Sequence, residues 1–282
     1  MSLRLNTPAT RLWDAAAYLV MGTLSLLCVA PIVWTFLTSI KHEADIISPV
    51  LHYIPPSVTW ENYAKLWTQS GYPVLVLNSL VVTTLTVAIC LLAGTPAAYA
   101  VSRTRFRGRR ALMLGYLVVR MFPAVLMIVP LFVVMRGLGL LDTRAGLAVA
   151  YTSFLLPLFI WMLKGFFDAA PPELEAAARV DGATRGGAMV RIVLPIARNG
   201  LLATAVFVGI GAWNEFLFAL MLTTSQGSRT WPVGLQLMVG EFQLPWGMLA
   251  AGGIISILPV VVLFALVQRA MVTGIAAGAV KG

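Results

Sequence analysis

Long apolar stretches separated by polar segments dominate the pattern along this chain. A helix needs about 20 apolar residues to cross a hydrocarbon core of about 30 Å. Each stretch is long enough for one such span, and tilting accommodates the longer ones. The pattern predicts an all-α membrane protein with six transmembrane helices, at about 18–40, 74–101, 112–135, 147–166, 201–222 and 247–272.

The distribution of cationic residues orients these predicted helices. Lys and Arg in short loops are retained on the cytoplasmic side of a membrane. With both termini placed inside, fourteen of the 20 Lys and Arg residues fall in inner segments and five in outer segments, while Arg120 lies within a stretch. The pattern therefore predicts that both termini are cytoplasmic. It places a first outer loop at about 41–72, a cytoplasmic loop at about 167–200 and a last outer loop at about 224–246.

The composition agrees with a protein that lies in a lipid bilayer. Hydrophobic residues make up 59% of the chain and charged residues 11%, whereas soluble domains carry about 25% charged residues. In so apolar a chain, the net charge of +9 indicates cationic loops rather than nucleic-acid binding. Neither a long linker nor a repeat of short period divides the sequence, so we expect a single transmembrane domain over residues 1–282.

Sequence signatures of catalysis are absent. The chain has no G-x-x-x-x-G-K-[ST] loop for nucleotide phosphates, so energy must come from a partner or a gradient. It also contains neither H-E-x-x-H nor G-x-S-x-G. Both histidines, His42 and His52, lie in the first outer loop without a third ligand at helical spacing, which favours solvated side chains over a metal site. We expect a non-enzymatic subunit with no metal and no cofactor of its own.

The predicted cytoplasmic loop contains the most informative local pattern. The Pro171-Pro172 pair can open a helix, and acidic residues that include Glu175 then occupy the first turn, where negative charge is favoured. Gly182 supplies a turn that a residue with a Cβ atom resists, and a second short helix can run on to Pro195. These features leave two interpretations open. The loop either rests on lipid headgroups or forms a surface on which another protein docks.

The spacing within this loop resembles the EAA loop of binding-protein-dependent ABC importer permeases. Glu-Ala-Ala, four residues, Gly, nine residues, Ile, one residue and Leu-Pro match that motif at every defining position. In that family the loop forms the coupling helices, which sit in a cleft on each ATP-hydrolysing subunit. The resemblance implies ATPase-coupling roles for Glu175, Ala176, Ala177, Asp181, Gly182, Ile192, Leu194 and Pro195.

Further segments resemble the sugar-importer branch, in particular the second permease of maltose-type transporters. These segments are 121–124, 130–131, 213–219, 232–235, 268–269 and 278–282. The resemblance implies a type I ABC importer permease in the bacterial cytoplasmic (inner) membrane, importing an oligosaccharide, polyol or glycerol phosphate. It implies a second homologous permease, two ATPase subunits that bind ATP and Mg, and an extracytoplasmic solute-binding protein. It also implies that the C-terminal tail contacts the ATPases through Gly278, Lys281 and Gly282.

Ionisable residues within the apolar stretches are candidates for the translocation path. A charged side chain within a bilayer is costly, so Arg120 and Glu215 should face protein or a water-filled cavity. Trp213 and Asn214 flank Glu215 with a ring and an amide that suit sugar stacking and hydroxyl recognition. The charged residues could instead pair with other helices and lock the bundle. The sequence leaves both interpretations open.

Three other functions remain possible. The segment Arg103–Arg110 ends in R-x-G-R-R, as does a loop of major-facilitator carriers, so a gradient-driven secondary carrier is one alternative. An ABC importer for a non-sugar solute is another, and a membrane scaffold without transport activity is the third. The orientation of the helices already requires arginines at this position, and the chain has half the spans of most such carriers. The ATP-driven importer is therefore preferred.

Overall fold

The computed structural model describes residues 8–68, 71–240 and 244–279. Helices contain most of these residues, and the described residues include no strand, which confirms the all-α prediction. The helices are α1 (Pro8–Ser39), α2 (Glu43–Ile46), α3 (Glu61–Thr68), α4 (Tyr72–Ile89), α5 (Thr95–Arg103), α6 (Arg109–Met121), α7 (Ile128–Gly137), α8 (Arg144–Ala169), α9 (Pro172–Val180), α10 (Arg185–Ala188), α11 (Leu194–Ile196), α12 (Arg198–Trp213), α13 (Leu217–Leu222), α14 (Trp231–Leu237) and α15 (Trp246–Ala279). Two π-helical turns, Cys90–Gly94 and Met189–Val193, connect α4 to α5 and α10 to α11.

Four of the six predicted spans contain an uninterrupted helical stretch that is long and apolar enough to cross a membrane. These stretches are Trp13–Ser39, Tyr72–Arg103, Arg144–Ala169 and Trp246–Gln268. Broken helix pairs raise the number of spans in the described residues to as many as six, by length and composition. The predicted six-helix membrane architecture is confirmed in this form, while the cytoplasmic placement of both termini stays a prediction.

The third and fifth predicted spans are interrupted for different reasons. Helix α6 ends at Met121 because Phe122 precedes a proline and takes an extended conformation with ψ of 129°. A short 3-10 turn then leads into α7. The fifth span breaks between Trp213 and Leu217, where the sequence contains neither proline nor glycine. At this second break, the Glu215 carboxylate accepts the backbone N–H groups of Phe218 and Ala219 at the start of α13.

Contacts between Cα atoms divide the chain into two compact units, which are described separately. The first comprises residues 1–69 together with Met238–Ile257, and the second comprises the remaining residues. The expectation of one domain over 1–282 remains a prediction.

Polar side chains connect the segments of the first unit. The buried Asn62 amide of α3 donates hydrogen bonds to the carbonyls of Ser39 and Lys41, each at 2.9 Å. The Glu43 carboxylate accepts the N–H groups of Trp246 and Gly247 at 2.8 and 3.0 Å. These N–H groups have no partner within the first turn of α15, so Glu43 caps that helix.

Helix α8 lies at the centre of the second unit. Tyr151, Phe159 and Phe167 on this helix are fully buried, and α4, α5 and α12 pack around it. At two of these helix contacts, a glycine allows the helices to approach each other closely. A Cβ atom on Gly94 would lie 2.4 Å from the Phe159 ring, and one on Gly200 would lie 2.1 Å from the Phe166 ring. Small residues at helix contacts are typical of membrane proteins.

The segment between α13 and α14, residues 223–230, is fixed to the second unit by side chains from distant parts of the chain. The Asn78 amide of α4 donates to the carbonyls of Gln226 and Arg229 at 3.0 and 2.7 Å. The Asp142 carboxylate accepts the backbone N–H groups of Thr224 and Ser225 at 2.8 and 2.9 Å. Partial burial opposes ionisation of Asp142, but these hydrogen bonds outweigh it and hold its pKa well below the usual range.

Candidate functional site

Local sequence rules account for the first helix of the predicted coupling loop, residues 167–200. Helix α9 places Pro172 at its first position, where the missing N–H has no helical partner to lose. The helix ends in a Schellman motif, in which the Ala183 N–H donates to the Ala178 carbonyl at 2.9 Å. The Gly182 N–H donates to the Arg179 carbonyl at 3.2 Å. Gly182 has a φ of +91°, which glycine adopts without strain.

The second half of the loop begins at a capped turn. The Thr184 hydroxyl accepts the N–H of Gly187 at 3.1 Å, which satisfies one free donor at the start of α10. Helix α10 continues through the π turn Met189–Val193 into α11. The stretch Arg185–Ile196 then meets α12 at a bend of 83°. The loop thus contains two helical parts joined by a tight turn, followed by a sharp change of direction.

The turn and the small residues before it form the exposed surface of the loop. Ala176, Ala177, Asp181 and Gly182 are exposed, Ile192 and Leu194 are half-buried, and Pro195 is exposed. A groove of about 270 Å³ lies between the two helical parts. Its lining consists of Ala178, Asp181, Gly182, Ala183, Gly187, Ala188, Arg191 and Ile192. Because most of these side chains are small, another surface can approach the backbone closely here.

Glu175 is an exception, since its carboxylate is directed into the protein. Its side chain is 11% exposed, and its Oε2 atom lies 3.0 Å from Nε of Arg103. The Tyr99 hydroxyl donates a hydrogen bond to the other carboxylate oxygen, Oε1. A buried carboxylate needs a nearby cation, and Arg103 of the same chain provides it. The ATPase-coupling role that the resemblance implies for Glu175 stays a prediction.

Arg103 and Tyr99 also contact other backbone segments. Nη2 of Arg103 donates to the carbonyl of Ala170, the residue that ends α8, at 2.9 Å. The Tyr99 hydroxyl lies 3.3 Å from the carbonyl of Arg185 in α10. Two side chains of α5 therefore contact α8, α9 and α10.

Tyr99 is not among the predicted site residues, and Arg103 was predicted only to orient the helices and to belong to the Arg103–Arg110 segment. A signal was present. The two residues are four positions apart and so share one face of a helix. Their position at the end of an apolar stretch places that face beside the loops that follow the helices. The sequence could not show which acidic residue this face meets.

Residues predicted to line the translocation path divide into buried and exposed positions. Trp213 is 2% exposed, so its ring packs inside the second unit. Glu215 accepts the N–H groups of Phe218 and Ala219 at 2.8 and 3.1 Å and caps α13. Glu215 therefore satisfies backbone groups of the next helix, and the roles of Trp213 and Glu215 in the path stay predictions. Asn214 is exposed, and its role in the path stays a prediction.

Four other predicted site residues carry less structural information. The Arg120 side chain lies outside the described residues, as do Lys281 and Gly282, and Gly278 belongs to the end of α15. Their assigned roles stay predictions.

The first outer loop was considered as a possible metal site. His42 lines an open groove of about 1030 Å³ in the first unit, beside Glu43 and Glu61. Among the described parts of the chain, no group of three or more His, Cys, Asp or Glu residues could hold a metal ion.

Known proteins are similar to this chain in sequence over most of its length. Residues 90–275 match the family described as binding-protein-dependent transport system inner membrane component. Trehalose transport system permease protein SugB of Mycobacterium tuberculosis is 38% identical over 272 residues, covering 96% of this chain and 97% of that protein. Trehalose/maltose transport system permease protein MalG of Thermococcus litoralis is 34% identical, covering 94% of this chain and 96% of that protein.

A solved structure shares the fold. A chain in the crystal structure of a bacterial ABC transporter involved in the import of the acidic polysaccharide alginate has a TM-score of 0.81 and 23% sequence identity. The match covers 95% of this chain and 99% of that chain. This likeness supports the expected type I ABC importer permease architecture. The family match covers more than half of the sequence, and the chain therefore belongs to the family of binding-protein-dependent transport system inner membrane components.

Proposed function

We propose that this chain is the permease subunit of an ATP-driven importer for a carbohydrate-type solute: an oligosaccharide, a polyol or a glycerol phosphate. Relatives at 34–38% identity are named as transporters of trehalose, of trehalose and maltose, and of sulfoquinovosyl glycerol. The chain forms half of the translocation path and couples that path to a partner ATPase. An importer for a non-sugar solute is the nearest alternative.

The exposed turn of the coupling loop is the observation that carries this proposal. Ala176, Ala177 and Gly182 present a surface with little side-chain bulk. Beside them, Val180 is 87% exposed, and an apolar side chain at a turn gains stability when a cleft covers it. A helix that rests on lipid typically presents larger apolar residues flanked by Lys and Arg. Elsewhere in the loop Leu174, Val190 and Ile196 are exposed near arginines. The small exposed turn, and not the whole loop, therefore favours docking into a protein cleft over contact with lipid headgroups.

The proposal includes a set of partners and a location. A second homologous permease completes the path, two ATPase subunits bind ATP and Mg, and an extracytoplasmic binding protein delivers the solute. The complex lies in the bacterial cytoplasmic membrane with both termini of this chain inside. Helix α1 is consistent with such neighbours, because none of its most apolar 18-residue window is buried within the chain.

In the proposed mechanism, this chain converts movement of the ATPases into a change of access. Closure of the ATPase dimer draws the coupling loops together. The helical bundle responds by a rigid-body movement that opens the path to the outside. ATP hydrolysis takes place on the partner, and this chain contributes no catalytic group to it.

Transport by the purified complex tests the proposal. The full-length chain is purified with its co-expressed partners, reconstituted into vesicles and supplied with the binding protein and a panel of radiolabelled sugars and polyols. We expect uptake that requires ATP on the ATPase side and persists when a protonophore collapses the proton gradient. Uptake that stops on collapse of the gradient at constant ATP would instead establish a secondary carrier. Uptake restricted to a non-carbohydrate solute would refute the assigned solute class.

A crosslinking experiment tests the docking surface directly. Ala177→Cys should form a disulfide with cysteines placed along the cleft of the ATPase. Val193→Cys is the matched control, because Val193 lies in the same loop, is fully buried and does not line the groove. Absence of a crosslink from position 177 in an intact complex, or equal crosslinking from both positions, would refute docking through this face.

A further inference from the structure

We propose that Tyr99, Arg103 and Glu175 form a clamp that transmits movement between the coupling loop and the second transmembrane span. This inference rests on the proposed function, since it assigns a task to residues beside the ATPase-docking surface.

Arg103 holds three segments together through one rigid group. It belongs to α5, its Nε atom lies 3.0 Å from the Glu175 carboxylate of α9, and its Nη2 donates to the Ala170 carbonyl at 2.9 Å. The guanidinium group is planar, so its two contacts keep a fixed angle to each other. Ala170 ends α8, where the helix dipole favours a cation. The position of α9 relative to α5 and α8 is therefore set by Arg103.

Tyr99 completes the clamp from one turn away. Its hydroxyl donates to Glu175 and approaches the Arg185 carbonyl of α10. Its ring packs edge-on against Phe167 of α8, with the ring centroids 6.2 Å apart. Because the ring is packed, the hydroxyl cannot move without shifting α5. Tyr99 thus holds Glu175 of α9 against α5 and places the same hydroxyl beside α10.

The burial of the charged pair suggests positioning as its main role. The side chains of Arg103 and Glu175 are 13% and 11% exposed. Removing both charged groups from water offsets much of their mutual attraction, so such a pair contributes little net stability. Removing only one partner is damaging, because the other charge is left buried. A pair with this behaviour favours one relative placement of two helices over others.

The clamp connects the loop to a long structural element. Helix α5 continues through the π turn Cys90–Gly94 into α4, so Tyr72–Arg103 forms one helical stretch of 32 residues. The backbone joins α9 to α8 across Ala170 and Pro171 and to α10 across residues 181–184, but it does not join α9 directly to the second span. With the clamp, a displacement of α9 also displaces the second span. The ATPase-facing surface and the helix that crosses the bilayer then move together.

Charge reversal and rescue in the reconstituted complex test this inference. The quantity measured is the ratio of solute imported to ATP hydrolysed. Arg103→Glu should lower this ratio by about tenfold, which equals about 1.4 kcal/mol of coupling free energy. The double variant Arg103→Glu/Glu175→Arg should recover part of the ratio. Arg103→Lys, which keeps the charge but loses the planar fork, should give an intermediate ratio.

Two matched controls separate coupling from general damage. Arg107→Glu makes the same charge change at an exposed position four residues along, and Glu173→Gln alters an exposed acid in the same turn as Glu175. Both should retain the wild-type ratio. If Arg103→Glu prevents assembly, Glu175→Gln is used in its place, since it removes the charge while keeping the shape.

The outcomes distinguish this inference from the proposed function. If the wild-type complex imports solute with ATP, an unchanged ratio of solute to ATP in Arg103→Glu and in Glu175→Gln overturns the clamp. A lower yield of complex with an unchanged ratio also overturns it, because the clamp would then be structural only. An equal fall of this ratio in Arg103→Glu and Arg107→Glu also overturns the clamp, because the exposed control position would then matter as much as the clamp. A wild-type complex without ATP-dependent uptake instead refutes the proposed function, and the clamp inference falls with it.

Discussion

Replacing Gly182 with valine should uncouple uptake from ATP hydrolysis. Gly182 joins the two helical parts of the coupling loop with a φ of +91°. Its N–H and that of Ala183 both donate to carbonyls at the end of α9. A residue that resists this conformation therefore disturbs the turn and the exposed surface beside it. The position of the docking surface relative to α10 depends on this one residue.

The loss of coupling expected in Gly182→Val comes from backbone strain and not from a steric clash. A Cβ atom at position 182 would meet no other atom within 4 Å. The left-handed conformation costs an L-residue about 1–2 kcal/mol. This energy shifts the equilibrium between the ordered turn and an unwound turn by a factor of about 5 to 30. Asparagine tolerates this conformation better, so Gly182→Asn should lose less coupling than Gly182→Val.

The assay compares solute imported per ATP hydrolysed in the reconstituted complex, together with the yield of that complex. Gly186→Ala is the matched control, because Gly186 is exposed in α10 and a Cβ atom there also meets nothing within 4 Å. Alanine in a helix is favoured over glycine by about 0.5–1 kcal/mol, so this variant should couple normally. Normal coupling and yield in Gly182→Val, or equal impairment in Gly186→Ala, would show that the turn does not determine coupling.

Three further variants test the polar contacts of the second unit. Asn78→Ala should lower the free energy of unfolding of the purified complex by about 2 kcal/mol, because two carbonyl groups lose their donor. Thermal unfolding in detergent measures this loss, and Asn214→Ala, at an exposed position, should change it much less. Asp142→Asn should cost about 1–3 kcal/mol. Since the pKa of Asp142 is lowered, its contribution is present above about pH 4 and is lost as the pH falls further, so the difference from wild type should stay constant between about pH 5 and 8. Glu215→Ala should lower stability while the KM for solute stays unchanged, and a raised KM without a loss of stability would place this side chain in the path.

The positions of the helices could be predicted well because a bilayer imposes a strong rule. Every span must be apolar and about 20 residues long, and this rule located the four continuous spans and the bent pair within 109–137. The other bent pair covers Arg185–Ile196 and Arg198–Trp213, so it begins and ends earlier than the predicted stretch at 201–222. The rule does not reveal whether a stretch is continuous. The break before Pro123 had a local signal, since the residue before a proline resists helical geometry. The break after Trp213 had none, because it depends on the Glu215 carboxylate accepting two N–H groups further along the chain.

In the coupling loop, too, the sequence predicts features with a local cause but not those that depend on contacts between distant residues. Its start at Pro172 and its turn at Gly182 follow from the conformational preferences of single residues, so the sequence was sufficient to predict them. The direction of the Glu175 side chain depends on Arg103, which lies far away in the sequence and meets it only in the folded chain. A motif at fixed spacing shows that a glutamate belongs to the loop. It does not show which side of the loop that glutamate faces.

Polar residues within the apolar stretches therefore need a structural explanation before a functional one. In a bilayer, a backbone group without a partner costs several kcal/mol, so polar side chains there first serve the backbone. Glu215 caps a helix, Asn78 holds a distant loop, and Thr204 bonds to the carbonyl one turn before it at 2.8 Å. Once these contacts are assigned, Asn214 is the exposed member of the group at 213–215. Even Asn214 donates its amide to the Ile210 carbonyl at 3.0 Å, so its side chain serves the backbone before any contact with solute.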